Sequence, residues 1–208
     1  MDTVSDVDPD TGQLLDLMVA GDESAAQRLL ERHRERLRRL VATHLDPRVS
    51  ARIDPSDVIQ EALAEAYQRL PQYADQRPVS FYPWLRSIAW QRLVKLHRTH
   101  VVAARRSVHR EDAPRMDLPD ASAQRLAEQL AAGGTEPSQK VVKQEIRQRV
   151  RTALDELPPA DRAVLVMRYL EHMSMREIGE ALETTTAAVK MRHARALQRL
   201  ESTLRDTQ

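Results

Sequence analysis

The chain has 208 residues, 41% of them hydrophobic but only 3% aromatic, with no cysteine and a formal net charge of +1. That length holds one medium domain or two small ones, and the lack of cysteine excludes disulfides and thiolate-bound zinc. No apolar run approaches the roughly 20 residues that span a bilayer, and the acidic start MDTVSDVDPDTG has no signal-peptide pattern, so a cytoplasmic protein with no membrane insertion is expected. Ala and Leu dominate the apolar residues and there are only five Gly, which points to an all-α fold.

In chain order, residues 1–11 read as an acidic N-terminal tail. Asp22 to about Leu45 reads as a helix, with Ala26, Leu29, Leu30, Leu37, Leu40 and Val41 at near-helical spacing. DPSD, Asp54 to Asp57, is a helix start: Asp54 can cap, Pro55 suits the first helical position and Asp57 suits the positive end of the helix dipole. The helix it opens carries Val58, Ile59, Ala62, Leu63, Ala66 and Leu70 on one stripe and Asp57, Gln60, Glu61 and Glu65 on the other. A further helix or helix pair over residues 81–98 completes a first domain of residues 12–100. Residues 101–137, with three prolines, Gly133 and Gly134, read as a flexible linker holding at most a short helix over 121–131. A second small helical domain follows at 138–208, with helices expected over 139–156, 160–171, 174–182 and 186–204.

Charge is distributed unevenly along this layout. Residues 2–23 carry seven acids (Asp2, Asp6, Asp8, Asp10, Asp16, Asp22, Glu23) and no Lys or Arg. Residues 84–110 carry Arg86, Arg92, Lys95, Arg98, Arg105, Arg106 and Arg110 without an acid, and 184–200 carry Lys190, Arg192, Arg195 and Arg199 without one. Two acid-free basic segments suggest two contacts with a polyanion. The second lies in a recognisable arrangement. Ser174 caps a short helix with Ile178, Ala181 and Leu182 inward. A turn at Glu183 to Thr185 then leads to a helix with Val189 inward and Lys190, Arg192, His193 and Arg195 outward. That is a helix-turn-helix, whose second helix fits the major groove. Thr185 or Thr186 as N-cap would also aim backbone N–H groups at a phosphate.

LPPADRAVLVMRYLEHMSMREIGEALETTTAAVKMRHARALQRL, residues 157–200, resembles region 4 of sigma-70-family transcription initiation factors. It departs at Glu183, where family members usually have Gly, and at Met191, where a small polar residue is usual. DPSDVIQEALAEAYQRL resembles the region 2 helix that docks on core RNA polymerase, with Asp57, Gln60 and Glu61 at the family's D..QE positions. FYPWLRSIAWQRLVKLHR resembles the segment that opens and reads the promoter −10 element. It departs at Trp90, Gln91 and Lys95. With no region 3 between the two domains, the layout is similar to the extracytoplasmic-function (ECF) group. The resemblance implies a factor that binds core RNA polymerase, through its β′ clamp and β subunit, and directs it to promoter DNA. It also implies control by an anti-sigma factor.

On this reading Thr185, Thr186, Lys190, Arg192, His193 and Arg195 contact the −35 element. Four of the chain's seven Phe, Tyr and Trp residues fall between Phe81 and Trp90. Phe81, Trp84, Leu85 and Ile88 have the spacing of a buried stripe. Tyr82, Trp90 and Tyr73 are the exposed candidates for stacking on unpaired bases, at about 1–3 kcal/mol per base. The −10 contacts are then Tyr82, Trp90, Gln91, Arg92, Lys95 and Arg98. The rival reading is a helix-turn-helix regulator acting as a conventional activator or repressor, whose effector module would normally show strands; residues 1–137 show no strand pattern. No Gly-rich phosphate loop, HExxH or paired His–carboxylate spacing appears, so neither an enzyme nor a cofactor is expected.

Overall fold

A computed structural model describes residues 9–45, 54–99, 118–132 and 140–205, with side chains given for residues 11–45, 54–99, 118–130 and 148–202. All regular structure among these residues is helical, and the chain divides into two units, Met1–Met116 and Asp117–Gln208. The acids Asp2, Asp6 and Asp8 and the bases Arg105, Arg106 and Arg110 lie outside the described residues.

The first unit holds helices α1 (Pro9–Val19), α2 (Glu23–His44), α3 (Pro55–Gln76) and α4 (Phe81–His97). Helix α1 begins inside the segment expected to be a tail. Buried Thr11 shares a hydrogen bond with buried His33 of α2 at 3.2 Å, and Leu15, four residues on, is buried as well. Gly21 closes α1 in the left-handed region (φ +99), where a side chain would be strained. Asp22 then caps α2, accepting from the Ser24 amide at 2.9 Å and its hydroxyl at 2.7 Å. The hydroxyl bond holds the Asp22 carboxyl below the usual carboxylate value.

Asp54 caps α3 by accepting from the Ser56 amide at 2.8 Å, as the DPSD pattern predicts. The helix then runs past Leu70 and through Pro71 to Gln76. An interior proline lacks the N–H that would bond the carbonyl four residues back. Here both Tyr67 and Pro71 are exposed, so water can satisfy that carbonyl. Arg77 ends the helix in the left-handed region (φ 39), its guanidinium bonding the Ala74 carbonyl and Asp16 of α1.

Helices α2, α3 and α4 enclose the core, with Leu29, Leu37, Leu40, Leu70, Leu85, Ile88 and Leu93 fully buried. The aromatic cluster sits at one end. The Phe81 ring lies 5.0 Å from His33, 5.5 Å from Tyr73 and 5.5 Å from Trp84, and Trp84 stacks on Tyr73 at 4.5 Å.

The second unit holds α5 (Asp120–Ala132), α6 (Lys140–Glu156), α7 (Pro159–Leu165), α8 (Met175–Ala181) and α9 (Thr186–Arg205). Helix α5 corrects the expected linker at 101–137, because it belongs to this unit's core. Leu126 and Ala127 pack with Val150, Ala153, Leu154, Leu165, Val166, Leu170, Ala196 and Leu200. Ala123, Leu126, Ala127 and Leu130 form a stripe at helical spacing that the surrounding Pro and Gly residues obscure. The expected helix over 160–171 is interrupted: after Leu165 the chain takes a π-helical turn, Val166–Leu170, in which the Glu171 amide reaches the Val166 carbonyl at 3.2 Å. The turn buries Val166, Met167 and Leu170.

Phe81→Ala should destabilise the first unit by about 3–5 kcal/mol, because the cavity left between three rings cannot collapse fully. Denaturant unfolding checks this; a loss below about 1 kcal/mol would show that the ring is not the hub of the packing.

Candidate polymerase and nucleic-acid interfaces

In the first unit Asp57, Gln60 and Glu61 lie exposed on one face of α3, Asp57 at its start. Ala64 and Tyr67 continue that face at three- and four-residue steps, and Tyr67 is 55% exposed. The sequence reading missed Tyr67, although its spacing from Asp57, Gln60 and Glu61 was visible.

The residues expected at the −10 contact separate into two groups. Gln91 and Lys95 are exposed along one face of α4, and exposed Arg98, the residue that caps its C-terminus, follows at a further three-residue step. The others are engaged within the unit. Tyr82 is 2% exposed, which corrects its expected place on the exposed edge. Its hydroxyl donates to the Arg36 carbonyl at 3.3 Å, the Arg36 guanidinium lies 3.5 Å above its ring, and His33 stacks near it. Tyr73 is buried as well, with its hydroxyl donating to the Val79 carbonyl at 2.9 Å. Trp90 is half-buried, with His44 edge-on at 4.8 Å and the Arg86 guanidinium 5.4 Å from its ring. Arg86, which the basic pattern placed outward, is itself buried.

Arg92 also departs from expectation. It turns toward α3, donating to Glu65 at 2.6 Å and to Glu61 at 3.2 Å, while Arg69 holds the second Glu65 oxygen at 2.6 Å. A residue expected on the DNA face is therefore ion-paired with one expected on the polymerase face. Two carboxylates four residues apart on α3 attract it more strongly than open solvent does.

In the second unit Ser174 and Glu177 form a reciprocal cap: the Glu177 amide donates to the Ser174 hydroxyl at 3.2 Å and the Ser174 amide to the Glu177 carboxylate at 2.9 Å. The turn after α8 is tight. The Thr184 amide reaches the Gly179 carbonyl at 2.8 Å, and a Cβ on Gly179 would stand 2.9 Å from the Thr184 carbonyl oxygen. That backbone approach leaves no room for any side chain at 179. Glu183 sits in the left-handed region (φ 51), so the turn keeps a shape that suits glycine even with glutamate in place.

Thr185 is the N-cap, its hydroxyl accepting from the Ala188 amide at 3.1 Å, and Thr186 opens α9 half-buried. Val189, Ala196 and Leu200 face the core, leaving Lys190 and Arg195 exposed and Arg192 half-buried. His193 does not point freely outward as expected. It is half-buried, shares a 3.2 Å hydrogen bond between its Nε2 and the Tyr169 hydroxyl, and stacks on that ring at 5.8 Å. Burial, with a smaller push from the Arg168 charge, lowers its pKa below 6.5. No cluster of His, Asp or Glu able to hold a metal occurs among the described residues.

Residues 29–101 match the family described as Sigma-70 region 2, and residues 147–200 match Sigma-70, region 4. The ECF RNA polymerase sigma-E factor of Escherichia coli (strain K12) is 25% identical over 194 residues, 91% of each chain. The ECF RNA polymerase sigma factor SigD of Mycobacterium tuberculosis (strain ATCC 25618 / H37Rv) is 28% identical over 195 residues, 91% of this chain and 84% of that one. Among solved structures, CnrH, determined in complex with the cytosolic domain of CnrY, superposes with a TM-score of 0.54 at 20% identity. The match covers 96% of this chain and 99% of that one, and it carries the shared helical fold.

Two outcomes follow from this geometry. Glu183→Gly should stabilise the second unit by about 0.5–1 kcal/mol, the relief of left-handed strain less the added freedom of the unfolded chain; a lower melting midpoint would rule the strain out. For His193, a folded pKa below the unfolded value means its contribution is complete above about 6.5 and is lost as pH falls through the folded value. His193→Gln should therefore flatten the fall in the second unit's melting midpoint on acidification, and an unchanged slope would show that another group is responsible.

Proposed function

This chain belongs to the sigma-70 family of transcription initiation factors, and we propose that Asp57, Gln60 and Glu61 dock it on core RNA polymerase while α4 and α9 read the −10 and −35 promoter elements. The observation that carries the reading is the helix-turn-helix of α8 and α9, with each helix capped at its start and the turn closed at Gly179, and with Lys190 and Arg195 exposed on the second helix. A helix with cations on its outer face enters the major groove and pairs with guanine edges or phosphates.

The β′ clamp is the partner for the α3 face, and the β subunit a second contact of the factor. An acidic stripe with an exposed tyrosine at its end suits a basic partner surface. Gln91 and Lys95 on α4, with Arg98 just after it, supply the row that follows an opened strand, and half-buried Trp90 lies next to that row. Neither face performs chemistry. The factor acts in the cytoplasm, where polymerase and promoters are, by positioning an enzyme that is not itself. An anti-sigma protein holding the two units is the regulatory partner, a reading supported by the fold shared with CnrH, which was solved with a bound partner domain. The conventional-regulator reading lacks support because the first unit matches region 2, where such a regulator would carry an effector module.

Replacing Asp57, Gln60 and Glu61 together by Ala should weaken binding to core RNA polymerase at least tenfold, about 1.4 kcal/mol, with helical content unchanged because the three side chains stand outside the core. Polymerase affinity equal to that of the unaltered chain, measured by titration of labelled factor, would remove the docking assignment.

A further inference from the structure

Four large apolar side chains are notably exposed among the described residues: Leu17, Val19, Tyr67 and Met191. Met191, at 65%, is the most exposed of them, and it lies on α9. The buried residues of that helix fix its orientation. Val189 is fully buried, and at 3.6 residues per turn Met191 falls on the opposite side of the helix from it. Ala187 and Ala194, four residues before and three after, lie on the same outer line and are exposed, and exposed Lys190 and Arg195 stand on either side. The outer face of α9 thus has an apolar centre line between two cations. The two alanines allow the helix backbone a close approach to whatever it meets.

The edges of base pairs in the major groove present donors, acceptors and one apolar group, the C5-methyl of thymine. An unbranched, polarizable thioether at the centre of a basic recognition face matches that group. It cannot make the bidentate hydrogen bonds that read guanine or adenine. We infer that Met191 reads a thymine C5-methyl in the duplex upstream element, with Lys190 and Arg195 holding the flanking guanine edges or phosphates. The inference rests on α9 being the promoter-reading helix, and it supplies a base that this helix prefers.

The test uses holoenzyme assembled from the full chain and core RNA polymerase. Binding sites are first enriched from a pool of duplexes with a randomised upstream element. Each thymine of the enriched element is then replaced, one at a time, by deoxyuridine, which lacks only the C5-methyl. One thymine should prove methyl-sensitive, with about fourfold weaker binding on its loss, which corresponds to the ~0.8 kcal/mol of one buried methylene at 1.4 kcal/mol per tenfold. Met191→Ala should bind the thymine and deoxyuridine duplexes equally, with an unchanged melting midpoint because the side chain is exposed, and Met191→Leu should keep part of the difference. If no thymine is methyl-sensitive, or if the sensitivity persists in Met191→Ala, the inference is overturned. Lys190→Ala and Arg195→Ala distinguish that failure from a deeper one. If they change the affinity while no thymine is methyl-sensitive, only the role of Met191 falls. If they leave both affinity and enriched sequence unchanged, α9 does not read the element and the inference falls with it.

Discussion

The position of the Phe81 ring between His33 of α2 and Tyr73 of α3 determines how the first unit can work. Phe81 is the first residue of α4, so its burial fixes where that helix begins relative to both neighbours. The later residues of α4 take their direction from that anchor: Leu85, Ile88 and Leu93 go inward, and Gln91 and Lys95 outward, with Arg98 following at the cap. The polar face of α3 is set by the same packing, because Tyr73 at the far end of α3 is held by Phe81 and by its own bond to Val79. A basic row and an acidic stripe are thus presented by two helices that cannot rotate independently.

The second unit meets a different constraint, backbone against backbone. The approach of Thr184 to Gly179 sets the angle between α8 and α9, and hence which side of α9 remains outside the core. The π turn before α8 works on the other end of the same assembly. By taking one extra residue per turn it buries Val166, Met167 and Leu170 together, and it places Tyr169 where its hydroxyl meets His193. His193 is thereby drawn from the recognition face into the packing beneath it.

What could be read in the sequence was what depends on neighbours in the chain. The Asp54 and Ser174 caps, the helix-turn-helix and the family motifs are all local patterns of a few residues, and each is found where its pattern places it. What could not be read depends on partners distant in sequence. Tyr82 looks exposed until Arg36, 46 residues earlier, is seen to cover its ring and accept its hydroxyl bond. Arg92 looks available until the two glutamates of α3, 27 and 31 residues earlier, are seen to hold it. One local signal also misled. The Pro and Gly residues around α5 suggest a linker, yet Leu126 and Ala127 are fully buried.

The bridge from Arg92 to Glu61 and Glu65 has a thermodynamic consequence for the first unit. A ligand that draws on the Glu61 carboxylate removes one of the two anions holding Arg92, and a ligand that attracts Arg92 strips a cation from Glu61. Binding free energies are reciprocal, so each ligand changes the affinity for the other by the same factor. The coupling is modest, because partly exposed ion pairs are worth about 0–1 kcal/mol and Glu65 keeps its hold when Glu61 is taken. Even so, a few-fold cooperativity between an occupant of α3 and an occupant of α4 needs no conformational change, only the redistribution of one guanidinium among three claimants.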